Sequence, residues 1–400
     1  MRAYLLAFCA IVAACGGGAG DDGSGDDDDG PTGDPLDPAL EPTIDTDPSH
    51  YPANVWVTDG MVKVQPESTP GDLHWARLWA ARNETESFQV HVRADDAPIQ
   101  VSVTLSDLVD PISGTTIAAD TQGVVAREAY LQIDQLSDAN GVTGRVPDAL
   151  IPAIDPYVRE ARDAFPVTVT DGGATIAELP VVLAVWDVTL PSTASLASGF
   201  GLSWNGLCVQ AYGGYDACGA YPGADGNADR AVELIHVAEA ELFLDHRVSL
   251  GQAVYATPDD GDWTHFDALY GPLMDGTART RLPGARLTHL WYTGGLDDAN
   301  VLADWTAHFT ARGWLDRTSA YFCDEPPNGC SFDETRARAD VIRAAAPALD
   351  TLLTTDLDEA SANDLLDRVD IMVAIVESME NRDRPSMRPE YDAWLATGDR

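Results

Sequence analysis

The feature that most limits the folds open to this chain is a change of hydrophobic period near residue 190 of 400. Upstream, apolar residues recur at every second position. In "SFQVHVRA" Phe88, Val90 and Val92 alternate with Gln89, His91 and Arg93, and in "IQVSVTL" Ile99, Val101, Val103 and Leu105 do the same. Such alternation marks strands with one buried face. "VTVTDGGATIAELPVVLAVWDV" reads as two more strands around Asp171, Gly172 and Gly173, a hairpin signal, and residues 51–190 show no convincing amphipathic helix. A β-sandwich is expected over 51–192.

Beyond the junction "TLPSTASL" the pattern becomes strand, helix, strand, helix. Strands are expected in "ASGFGLSW", "RVSLGQAVYA", "LTHLWYTG", "SAYFCDEP", "TLLTTDL" and "IMVAIVES". Helices are expected in "ADRAVELIHVAEAELFLDH", in "DDANVLADWTAHFTARGW", after the capping box Ser331/Glu334, and in "SANDLLDRV". In the second of these, Val301, Leu302, Trp305 and Phe309 form one apolar stripe that Gly313 ends. Repeated β/α units predict a parallel sheet, and counting favours a TIM-type (β/α)8 barrel over a doubly wound sheet. The expected class is multidomain, β then α/β. Six strands fall within 193–400, where a full barrel takes about 250 residues, so the barrel is expected to be truncated after about six strands.

The N-terminus predicts export. Arg2 precedes the apolar run "AYLLAFCAIVAA", which is too short to span a bilayer, so 1–14 reads as a signal peptide. "VAAC" places small residues before Cys15 in the manner of a lipoprotein signal, whose cysteine carries lipid after cleavage. An ordinary secretory signal is the alternative. The acidic, glycine-rich stretch over 15–50 then serves as a tether, on average about 30 Å long. Its aspartates lack the spacing and closing glutamate of a calcium loop. An envelope location, at the outer membrane or cell surface, follows. With 24 basic against 65 acidic residues and Lys63 the single lysine, the net charge of -41 repels phosphate backbones, and nucleic acid is not expected as a partner.

Four cysteines remain after the leader and Cys15, in two close pairs: Cys208 with Cys218 and Cys323 with Cys330. Local disulfides are the economical reading in an exported protein. Zinc is the rival, but CxxC spacing is absent and no histidine lies near either pair in sequence. No metal or organic cofactor is expected.

The second pair fences "CDEPPNGC". Asp324 and Glu325 fall at the carboxyl end of a predicted barrel strand, where active sites of such barrels lie. Neighbours on a regular strand point to opposite faces, so two consecutive carboxylates address one ligand only where the pleat breaks, and Pro326 and Pro327 force that break. A bridged eight-residue loop would contribute roughly 2.5 kcal/mol and hold the pair in position. Two like charges in one site favour sharing a proton, which yields the acid and the anion that glycoside hydrolysis uses. The plainer alternative makes Asp324 a turn cap and Glu325 a surface charge.

"NVWVTDGMVKVQP", "WARLWAARNETESFQVHV", "FPVTV", "LPSTASLASGFGLSW", "YFCDEPP" and "VIRAAAPALDTLLTTDL" together resemble glycoside hydrolase family 123 over about residues 54–400. The resemblance implies a β-sandwich followed by a (β/α)8 barrel, and exo-cleavage of terminal β-linked N-acetylgalactosamine from glycans or glycolipids. It also implies a retaining, substrate-assisted mechanism. Asp324 would stabilise the acetamido group as its oxazolinium forms, and Glu325 would be general acid and then base. Trp204, Tyr292, Thr355 and Glu377, at or near predicted strand ends, are candidate sugar-pocket residues, with ordinary packing or a solvated rim as the alternative for each. His246 and Arg247 fall between a helix and the next strand, at the opposite, structural end. Rival functions are a surface glycan-binding lipoprotein with a degenerate barrel and a purely structural envelope lipoprotein. No nucleotide cradle, HExxH or GxSxG motif is present.

Overall fold

The computed structural model describes residues 4–13, 42–94, 101–136, 141–152, 175–253, 261–292, 294–374 and 385–396. The chain divides into two compact units, Met1–Leu190 and Pro191–Arg400, of mixed strand and helix. The hairpin expected around Asp171, Gly172 and Gly173 lies outside the described residues, as does most of the tether. Among the described residues no helix is long and apolar enough to cross a membrane.

Unit 1 contains β1 (Tyr4–Ala13), β2 (Val55–Asp59), β3 (Ala76–Arg82), β4 (Glu84–Arg93), β5 (Leu108–Val109), β6 (Thr116–Ile117), β7 (Gly123–Ile133), β8 (Gly144–Pro152) and β9 (Val181–Thr189), with a short helix α1 (Ala119–Gln122). An antiparallel sheet runs β2-β4-β1-β7-β8, while β3 pairs in parallel with β9. Val55, Val57, Phe88, Val90 and Val92 of the larger sheet share one core with Ala76 and Leu78 of β3. Val101, Val103 and Leu105 pack on that core too, although only Val101 makes a strand bridge.

One expectation changes in this unit. The alternation in β4 predicts exposed Gln89 and His91, yet both are buried. The Gln89 amide donates to the carbonyls of Asp59, Gly60 and Val62, so the turn after β2 covers that face, and His91 stacks on Trp56 across the β2–β4 pair. The N-terminal apolar run Tyr4–Ala13 is β1, which pairs with β4 and β7.

Unit 2 holds α2 (Trp204–Tyr212), α3 (Ala228–Asp245), α4 (Thr264–Asp275), β10 (Leu290–Tyr292), α5 (Ala299–Arg312), β11 (Thr318–Cys323), α6 (Phe332–Ala345), β12 (Asp350–Thr354), α7 (Leu357–Ala362), β13 (Ile371–Val373) and α8 (Arg388–Leu395). The order β10-β11-β12-β13 is parallel and strictly sequential. Two of the expected strands join it without regular strand geometry. The Phe200 N–H donates to the Ser249 carbonyl, the Gly251 N–H to the Phe200 carbonyl, and the Trp291 N–H to the Gly251 carbonyl, so segments 198–202 and 249–252 extend the parallel row ahead of β10. Glycines weaken these two segments as strands, for a packing reason given below.

The helices follow their signals closely. Asn227 and Asp298 cap α3 and α5, Gly313 ends α5 in the left-handed region, and the capping box Ser331/Glu334 is formed in both directions. Leu302, Trp305 and Phe309 bury their stripe against β10 and β11, alongside Tyr292 and Phe322. The helix expected over 361–369 forms earlier, at α7, because Asp364 takes a left-handed φ of 56° and breaks the run. Both expected disulfides are present. Cys208–Cys218 ties α2 to the turn after it, and Cys323–Cys330 closes the loop after β11.

Candidate active site

The parity of β10 to β12 decides which side chains face the site. Leu290, Tyr292, Ala320, Phe322 and Leu353 point into the helix-covered core. Register pairs Trp291 with Ser319, Tyr321 with Leu352, and Ser319 with Asp350, so Trp291, Ser319, Tyr321, Leu352 and Thr354 share the other face. At the carboxyl end of that face stand Asp324 and Glu325, both exposed.

The backbone there leaves the strand abruptly. Glu325 has φ 42°, left-handed for a residue with a Cβ, which costs about 1–2 kcal/mol. Consecutive side chains are therefore no longer obliged to point to opposite faces. Three hydrogen bonds hold the conformation: the Glu325 N–H to Thr354 Oγ1 at 2.8 Å, the Asn328 N–H to the Glu325 carbonyl at 2.7 Å, and the Gly329 N–H to the Asp324 carbonyl at 2.9 Å. A Cβ at Gly329 would lie 2.2 Å from the Asp324 carbonyl oxygen, so only glycine closes the loop. The Pro326–Pro327 bond is cis and Pro326 is buried. The Phe322 carbonyl, just inside the strand end, accepts from Arg338 of α6 at 2.8 Å.

The side chains form a small closed network. Tyr321 donates to Asp324 Oδ1 at 2.5 Å, and Thr354 Oγ1 lies 3.1 Å from the same oxygen and 3.0 Å from the Tyr321 hydroxyl. Burial, and next the adjacent Asp324, push the Tyr321 phenol well above its ordinary value, so it stays a proton donor at neutral pH. Beside it, the half-buried Trp291 meets Tyr321 edge-on at 6.0 Å. The indole packs against the first two segments of the row. A Cβ at Gly199 would come within 2.7 Å of the ring, and one at Gly251 within 2.8 Å of the His289 carbonyl and 3.3 Å of the ring, which explains the glycines that weaken those strands.

The remaining sequence candidates are dispersed. Tyr292 is buried and stacks on Trp305 at 4.4 Å, on the core side of β10, so parity removes it from the site face and puts Trp291 there. Thr355 is buried one residue beyond Thr354, and its N–H donates to the Val373 carbonyl. Trp204 is the first residue of α2, following the Ser203 cap, where a strand end was expected. Glu377 and Cys15 lie outside the described residues. Arg247 has φ 59° and its Nε donates to the Pro191 carbonyl at 2.7 Å, a structural tie. Tyr321, Thr354 and Trp291 were missed. The signal was available in Tyr321 standing three residues before Asp324 and in the odd-even parity of "HLWY" and "TLLTT".

Among the described residues no group of three or more histidine, cysteine or acidic side chains is placed to hold a metal ion. A cavity of about 1140 Å³ is lined by residues of unit 1, among them the valines of the shared core. No family model matches this chain, and no curated protein matches it.

Chemically, the arrangement offers two solvent-facing carboxylates beside a fixed phenol donor and an aromatic plate. One carboxylate is tied at a single oxygen, and the other rides on a constrained backbone.

Proposed function

We propose that the chain is a glycoside hydrolase that removes terminal β-linked N-acetylgalactosamine, with its chemistry at Asp324 and Glu325. The observation that carries the reading is the left-handed step at Glu325, stabilised from β12, which sets two consecutive carboxylates at the open end of a parallel strand. A strained backbone held by several bonds is characteristic of functional sites and has no value for a merely solvated charge pair.

In this reading the sugar's acetamido oxygen attacks the anomeric carbon while Asp324 accepts from the acetamido N–H. The bond to the leaving oxygen breaks as Glu325 gives that oxygen its proton. Glu325 then takes a proton from water, whose oxygen opens the oxazolinium at the same carbon. The β-configuration is retained and Glu325 is reprotonated. Trp291 supplies a flat apolar surface for a pyranose face.

The six parallel segments are, on the same reading, strands of a (β/α)8 barrel. The parallel, sequential order of the strands is the order a barrel uses. Unit 1 is the accompanying β-sandwich. Residues 1–14 are a signal peptide, Cys15 carries lipid, and 15–50 tether the enzyme to the bacterial envelope.

The test is hydrolysis of an aryl β-N-acetylgalactosaminide by the full chain, beside Glu325→Gln and Asp324→Asn. Turnover with retention that falls at least 100-fold in both variants is expected. A folded protein that binds N-acetylhexosamine glycans without turnover would replace the reading by a glycan-binding lipoprotein.

A further inference from the structure

We infer that Thr354 is the positioning residue that locks the two carboxylates into one working geometry, an inference that rests on the glycosidase reading. Thr354 ends β12, the strand beside the one that carries the pair. Its single hydroxyl oxygen is within hydrogen-bond reach of three groups of the site: the Glu325 N–H at 2.8 Å, the Tyr321 hydroxyl at 3.0 Å and Asp324 Oδ1 at 3.1 Å.

Counting protons narrows the roles. A threonine hydroxyl has one proton and two lone pairs. The Glu325 N–H takes one lone pair. Tyr321 spends its only proton on Asp324 Oδ1 at 2.5 Å, so the Thr354 proton goes to Asp324 Oδ1 at 3.1 Å or to the Tyr321 oxygen at 3.0 Å. In either case the hydroxyls gather at Oδ1, directly or through Tyr321, and Oδ2 keeps acceptor capacity for a substrate N–H. Through these contacts Thr354 orients Asp324, and through the Glu325 N–H it holds the residue that must present the acid.

Two catalytic residues adjacent in sequence share a backbone whose local conformation is unfavourable. Without an external tie, relaxation of φ at Glu325 would swing its side chain and disturb Asp324 together. The tie comes from the neighbouring strand, so it is set by the register of β11 with β12. The hydroxyl, and not the methyl group, makes all three contacts.

This predicts a defined pattern. Thr354→Val keeps the shape and removes the hydroxyl, and should lower kcat tenfold or more while changing KM less than threefold. Thr354→Ser retains the hydroxyl and should keep kcat within about threefold of the parent. Amide exchange at Glu325, followed in the same full-length proteins, should quicken in Thr354→Val and stay near the parent rate in Thr354→Ser. Circular dichroism confirms that each variant is folded.

A Thr354→Val enzyme with unchanged kcat, or a Thr354→Ser enzyme as poor as Thr354→Val, would overturn the inference. So would a change confined to KM. If the parent itself hydrolyses no N-acetylhexosaminide, the glycosidase reading fails. The exchange rates then decide the positioning separately: equal rates in parent and Thr354→Val would show that the tie does not hold Glu325.

Discussion

His236 makes a quantitative prediction about acid. It lies on α3, is 2% exposed, and faces the ring of Tyr270 at 5.7 Å. Among the described residues neither of its ring nitrogens has a hydrogen-bond partner. Burial alone lowers its pKa to about 4. In the unfolded chain the same imidazole titrates near 6.5. Between these values the unfolded state binds the proton and the folded state does not, so stability falls as the pH drops from about 6.5 and levels off below about 4. Taking both values, the loss between pH 7.5 and pH 4.5 is about 2–3 kcal/mol for this residue. His236→Leu removes the titration and two unpaired nitrogens, so it should be at least as stable as the parent at pH 7.5. Protection of α3 amides across a urea series, measured at both pH values, reads the stability of unit 2. The difference between parent and variant should widen by about 2–3 kcal/mol at the lower pH. Parallel pH dependences in the two proteins would refute a buried neutral histidine.

Other substitutions follow from distances given above. Gly329→Ala meets the Asp324 carbonyl, which is backbone and cannot yield, so it should cost about 2–4 kcal/mol by urea denaturation and lower kcat with it. Replacing Cys323 and Cys330 by serine together should remove roughly 2.5 kcal/mol from the same measurement, with a larger proportional loss of kcat than of sugar affinity. Trp291→Ala should raise KM or the sugar dissociation constant about tenfold, which calorimetry can check, while leaving the α5 core intact because the indole faces away from it. Glu325→Gly should abolish turnover yet leave the fold equally stable or about 1 kcal/mol more so, since glycine adopts the left-handed φ without strain.

Much of unit 2 was legible because its signals are local. Capping residues, helix stripes and the two short cysteine loops act over short stretches of chain, and Gly313 and the Ser331/Glu334 box perform the roles their spacing suggests. The position of the Asp324–Glu325 pair at a strand end was legible too, from the strand pattern before it and the prolines after it. Its supports were not, since the tie from Thr354 depends on the register of two strands about 30 residues apart. Tyr292 was favoured over Trp291 because proximity to a strand end says nothing of which face a side chain takes. α4 carries Pro272 within it and gave no periodic signal strong enough to anticipate. In unit 1, Gln89 and His91 look solvent-facing by alternation; the return of the 59–62 turn covers Gln89, and Trp56 of the paired strand stacks on His91.

The place of β1 in the larger sheet has a consequence in time. Cys9 pairs with Phe88 and Ala10 with Val124, so the first neighbour of this strand is complete only when about half of unit 1 has been synthesised, and the second later still. At translation rates of about 5–20 residues per second, the delay before Phe88 arrives is about 4–16 seconds. During that interval the apolar N-terminal run has no sheet to enter and is open to whatever apparatus binds such segments. After it, the run competes with its own domain. A chain whose N-terminal run is captured early and one whose run is captured late would differ in where the strand ends up, although their sequences are identical.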